Sequence, residues 1–91
     1  MNEKVLLYIR LAATRRTYEF LVPLHLSVSE ATQLIARLLA ERESPLYQMT
    51  DDVRLMFAEG EYAGCLVDPT ACFCTLVGDA RIVDGSLLAL V

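Results

Sequence analysis

The hydrophobic period of this chain changes as it is read from the N-terminus. From Lys4 to Leu11 it is two: Val5, Leu7 and Ile9 fall on one side, and Leu6, Tyr8 and Arg10 on the other. That is the repeat of a strand with one buried face. Residues 12–16 make a short polar connection, and residues 17–22 alternate again, with Tyr18, Phe20 and Val22 together. The two runs predict a hairpin, although its loop carries neither Asn-Gly nor Asp-Gly. Pro23, with no amide to donate, ends the ladder. The period then becomes helical. In residues 27–40, SVSEATQLIARLLA, the positions Val28, Ala31, Leu34, Ile35, Leu38 and Leu39 recur at helical spacing, and Glu30, Gln33, Arg37 and Glu41 fall largely elsewhere. Ser27, followed three residues later by Glu30, is a capping-box pattern at the start of this helix.

The polar stretch 42–52, with Ser44-Pro45 and Thr50-Asp51-Asp52, stops the helix. Residues 53–57 read as a third strand, with Val53, Leu55 and Phe57 on one side and Met56 on the other. Residues 58–64 form a turn region with Gly60 and Gly64, Asp68-Pro69 marks another turn, and residues 72–76 read as a short strand. After Gly78-Asp79 and Asp84-Gly85, residues 86–91 read as a closing strand, apolar throughout and therefore central in its sheet. No repeat or linker interrupts this order, so one domain over residues 1–91 is expected. A single amphipathic helix between strands needs a sheet to lie on. Placing the first and last strands side by side, parallel and central, buries both apolar runs beneath the helix. The predicted fold class is α+β: a β-grasp with a mixed sheet of four to five strands packed on one main helix.

Composition adds a surplus of apolar surface. Of 91 residues, 55% are hydrophobic, and mean hydropathy is +0.41. So small a core cannot hide all of that, and some is expected to face a partner. Net charge is −4, and the basic residues are scattered, Arg15-Arg16 being their one adjacent pair. This disfavours nucleic acid. No apolar run approaches the ~20 residues of a membrane span, and MNEKVLLYIR lacks the layout of a secretory signal. A cytoplasmic location without membrane insertion is the reading.

Candidate chemistry is sparse. Cys65, Cys72 and Cys74 are an odd count, which argues for free thiols rather than a disulfide framework. With His25 they would complete a zinc set, but the paired Cys-x2-Cys spacing is missing. An iron–sulfur cluster needs a fourth thiolate. A disulfide between Cys72 and Cys74 would span too short a loop to close without strain. His25, between Leu24 and Leu26, has no cysteine brought to it by the sequence. Asp51-Asp52 and the Asp79/Asp84 pair are turn formers before they are acid–base pairs. The glycines lie singly, so no phosphate-cradling loop is formed. Neither an enzyme, nor a cofactor, nor a metal is expected.

Arg54–Ala58, RLMFA, followed by a glycine-containing turn, resembles the third-strand signature of ubiquitin-like proteins. Thr75-Leu76, followed after ten residues by SLLAL, resembles their closing pattern. Asp84-Gly85-Ser86-Leu87-Leu88 is similar to the ending of the bacterial YukD or EsaB branch. In that branch such a domain is an accessory of type VII (WXG100/ESX) secretion, free-standing or fused to the cytosolic end of a membrane component. Residues 65–74 depart from the family pattern as an insertion before the Thr-Leu turn. Ubiquitin and the sulfur carriers act through a C-terminal Gly-Gly tail, whereas Ala89-Leu90-Val91 closes this sequence. The alternative role, a modifier or sulfur carrier working with an activating enzyme, is disfavoured on that ground.

The resemblance implies partner binding through the exposed sheet face, with Met56 at its centre. With Val5, Leu7 and Ile9 toward the helix, Leu6 and Tyr8 point outward. With Leu55 and Phe57 in the core, so does Met56. With Leu87 and Ala89 taken as core, Leu88 and Leu90 point outward as well. Leu6, Tyr8, Met56, Leu88 and Leu90 are thus the expected partner-binding patch; Leu34 and Leu38 either add a second strip on the helix or belong to the core. The expected function is a non-catalytic interaction module. Its expected partner is a protein such as a membrane component of a secretion machine; self-association through the same patch would satisfy it equally well.

Overall fold

The computed structural model describes residues 3–48, 50 and 52–91. Strands β1 (Lys4–Leu11) and β2 (Arg16–Pro23) precede helix α1 (Val28–Arg42). Strand β3 (Leu55–Phe57), helix α2 (Phe73–Gly78) and strand β4 (Ser86–Leu90) complete the order. The sheet runs β2-β1-β4-β3. β1 pairs antiparallel with β2, Leu7 opposite Phe20, and parallel with β4, Ile9 opposite Leu88. The first and last strands are therefore the central parallel pair that the hydrophobic pattern requires. The hairpin turns without glycine: Arg15 takes φ 57°, and its amide donates to Leu11 O at 2.9 Å.

The core lies between one sheet face and α1. Val5, Leu7, Ile9 and Leu11 from β1 join Leu55 and Phe57 from β3, Leu88 and Leu90 from β4, and Val28, Ala31, Ile35, Ala36 and Leu39 from α1. The capping box forms as expected: Glu30 N–H donates to Ser27 Oγ at 3.1 Å, and Ser27 N–H to Glu30 Oε1 at 3.0 Å.

Residues 65–74, read from the sequence as an insertion, close both the sheet and the helix. Met56 bridges to Leu66, and Val67 N–H donates to Leu55 O, so this segment covers the outer edge of β3. It then passes the start of α1, where Val28 N–H donates to Ala71 O at 2.8 Å and Ser29 N–H to Pro69 O at 2.9 Å. The first amides of a helix have no intrahelical acceptor; here a neighbouring segment supplies two of them.

The short strand expected at residues 72–76 is corrected to helix. Phe73 and Leu76, three apart, are both buried. Phe73 N–H donates to Leu26 O and Cys74 N–H to Leu24 O, so the connection ahead of α1 satisfies the first turn of α2.

Candidate functional site on the outer face of the sheet

Side chains on the face away from α1 follow from the register. Tyr8 lies opposite Leu87 and Glu19, Leu6 opposite Leu21, and Ala89 opposite both Arg10 and Met56. With the bridge to Leu66, an apolar band crosses the sheet diagonally from Leu21 through Leu6, Tyr8, Leu87, Ala89 and Met56 to Leu66. The ends of the band stand free, Leu21 at 65% exposure and Leu66 at 57%. Leu6, Tyr8, Met56 and Leu87 are half-buried against their neighbours. Exposed Glu19 and Arg10 flank the band at opposite corners.

Leu6, Tyr8 and Met56 are therefore where the sequence places them. Leu88 and Leu90 are corrected: both are buried, at 0% and 3% exposure, and the register turns Leu87 and Ala89 to the outer side instead, Leu87 half-buried and Ala89 covered by its neighbours. A strand that is apolar at every position carries no alternation to fix its face, and a one-residue slip exchanges the two. What fixes it is the turn before β4. Gly85 at φ +89° lets the chain reverse, and its amide donates to Leu6 O at 2.8 Å. Asp84 Oδ1 accepts Leu6 N–H at 2.9 Å. These bonds set Ser86 beside Leu7 and so Leu87 beside Tyr8. The Tyr8 ring rests against Gly85, 3.8 Å from the place a Cβ would take. Leu87 N–H donates to Glu59 Oε1 at 3.1 Å at the rim of the band.

Reading the sequence missed Leu21, Leu66, Leu87 and Ala89. Leu21 could have been found from the alternation of Tyr18, Phe20 and Val22, which puts it opposite them. Leu66 had no such signal, since only its bridge to Met56 brings it to the sheet.

Leu34 and Leu38 are exposed on α1, at 46% and 53%, and with Phe20, Leu21 and Val22 they line a groove between α1 and the edge of β2. His25 is exposed in the connection before α1. Of the pair Asp51-Asp52, Asp51 lies outside the described residues. Asp84 is engaged with the backbone of β1. Among the described residues, no three His, Cys, Asp or Glu side chains converge to hold a metal ion. No helix of the described residues is long and apolar enough to cross a membrane.

No family model matches this chain, and no curated protein matches it. Solved structures do. A chain of the MycP5-free ESX-5 inner membrane complex, State II, superposes with TM-score 0.73 at 16% identity over 99% of this chain, which spans 21% of that one. The ubiquitin of Caldiarchaeum subterraneum gives TM-score 0.60 at 17% identity, covering 96% of this chain and 90% of its own. The UBL domain of Plasmodium falciparum Dsk2 gives 0.62 at 14% identity, with 96% and 95% covered. With its central parallel strands, edge hairpin and single crossing helix, the chain has the ubiquitin-like β-grasp fold.

Proposed function

We propose that this chain is a non-catalytic protein-interaction module that docks through the outer face of its sheet, and that it serves as an accessory of a type VII secretion machine. The observation that carries the reading is the diagonal apolar band from Leu21 to Leu66, built from every strand of the sheet and flanked by Glu19 and Arg10. A contiguous apolar patch with a polar rim is the ordinary form of a protein-docking surface. The secretion assignment is supported by the likeness to a chain of the ESX-5 inner membrane complex. It is supported too by the Asp84-Gly85-Ser86-Leu87-Leu88 ending. The partner is a protein component of that machine, and the band is the centre of its contact.

The test is binding of the purified chain to the individual type VII components encoded in the same genome, immobilised one at a time. A Met56→Asp, Leu87→Asp double variant places two charges in the band without touching the core. Binding to one component, weakened at least about 30-fold in the variant, is the expected result. Equal binding by the variant would remove the outer face from the reading. Failure of the wild type to bind any component would remove the secretion assignment.

A further inference from the structure

The two closely spaced cysteines are not held as their spacing suggests. On a strand, residues two apart share a face but stand well separated along it. Here Cys72 is extended, at φ −87° and ψ 141°, and Cys74 already lies within α2. The change of backbone between them folds the two side chains together, with their Sγ atoms 2.7 Å apart, so the turn into α2 supplies the approach that so short a loop is not expected to make on a strand. The surrounding backbone fixes both. Cys72 forms a bridge with Ser27, Cys74 N–H donates to Leu24 O at 2.9 Å, and Thr75 N–H donates to Cys72 O at 3.0 Å.

The pair is also unequal. Cys74 is exposed, whereas Cys72 is partly covered, with its thiol donating to Leu24 O at 3.0 Å. When both are protonated, the Cys72 thiol donates to Leu24 O and the Cys74 sulfur lies directly against it. Loss of a proton from Cys74 lets the Cys72 thiol turn and donate to the new thiolate. That hydrogen bond holds the Cys74 thiol below its ordinary range and pushes the Cys72 thiol up. The accessible sulfur is thus the one whose thiolate its neighbour stabilises.

We infer that Cys72 and Cys74 form a thiol–disulfide exchange site, a dithiol that reduces a small disulfide and itself closes to an intramolecular disulfide. Cys74 thiolate attacks one sulfur of the incoming disulfide; its S–S bond breaks, and one half leaves as thiolate and takes up a proton. Cys72, as thiolate, then attacks Cys74 Sγ in the mixed disulfide. The Cys72–Cys74 bond forms, and the second half leaves as a thiol. Two electrons and two protons pass from the protein dithiol to the small disulfide, which becomes two thiols. Cys65 takes no part.

The test uses the intact chain in glutathione and glutathione disulfide at stepped ratios, quenched in acid, alkylated and mapped by mass. Before alkylation the expected product is about 2 Da lighter than the reduced chain; after it, the product carries a single alkyl group, at Cys65, and its disulfide lies between residues 72 and 74. In a Cys72→Ser variant, glutathione is expected to stay attached at Cys74, because the resolving thiol is gone. Closure in the native chain is expected to be at least about tenfold faster than in the same chain unfolded in urea, because the fold brings the sulfurs together. Equal rates in the two states would overturn the inference. So would a disulfide that involves Cys65 or a second chain, or thiols at Cys72 and Cys74 that stay alkylatable at every ratio.

Discussion

Replacing Leu88 by Ala removes a side chain with no exposure, inside the core between sheet and α1. A cavity there is expected to cost about 2–5 kcal/mol in urea denaturation. Leu87, one residue earlier and on the other face, is half-buried, and Leu87→Ala is expected to cost about 1 kcal/mol or less. The comparison is sharper with charge: Leu87→Asp should fold, while Leu88→Asp would bury an unpaired carboxylate and should not. A chain unfolded by the first substitution and untouched by the second would reverse the face assignment on which the outer band depends. Ser27 is a second residue whose role is separable. Its hydroxyl accepts the Glu30 amide, and Ser27→Ala is expected to cost about 1 kcal/mol.

At the scale of elements, the start of α1 carries a pH dependence. Hydrogen bonds from the backbone amide and then the hydroxyl of Ser27 hold the Glu30 carboxyl below its ordinary range. Asp68 is lowered in the same way by the Thr70 amide and hydroxyl, in the segment that passes α1. A carboxyl lowered by folding contributes stability above its unfolded value and loses it as pH falls through the lowered folded value. The melting-temperature gap between wild type and Glu30→Ala should therefore be complete at neutral pH and close in acid, below the usual 4.5 of a glutamate. A gap that stays constant down to strong acid would mean that the charged capping bond does not form.

These elements also separate what local sequence decides from what it does not. β1, β2 and α1 were legible because each has a clean period and α1 has its own cap. The parallel central pair followed from the unbroken apolar run of β4. The face of β4 did not, because Leu87, Leu88, Ala89 and Leu90 are alike in polarity, and the deciding bonds from Leu6 to Asp84 and Gly85 join residues far apart in sequence. α2 was missed for a related reason. Cys72-Phe73-Cys74-Thr75 has the composition of a strand, and the carbonyls of Leu24 and Leu26 that start it as a helix come from a distant connection. So the candidate site was half legible: Leu6, Tyr8 and Met56 by alternation, and Leu87, Ala89 and Leu66 only through tertiary pairing.

For the whole molecule the question is whether the outer face is large enough to be satisfied by a second copy of itself. Four strands about 4.8 Å apart, taken over the five-residue length of β4 at about 3.3 Å per residue, outline a plane of roughly 300 Å². A stable interface takes about 800 Å² of accessible surface from each partner. The band is thus the size of an interface centre and needs a rim around it. A second copy would bring to that contact the same net charge of −4, whereas a different protein can carry the opposite sign. The chain alone is therefore expected to be monomeric by size-exclusion chromatography with light scattering at tens of micromolar, with the Met56→Asp, Leu87→Asp variant eluting at the same mass. A stable dimer that the double variant dissolves would instead make the band a self-association surface and remove it as the docking face for a different protein.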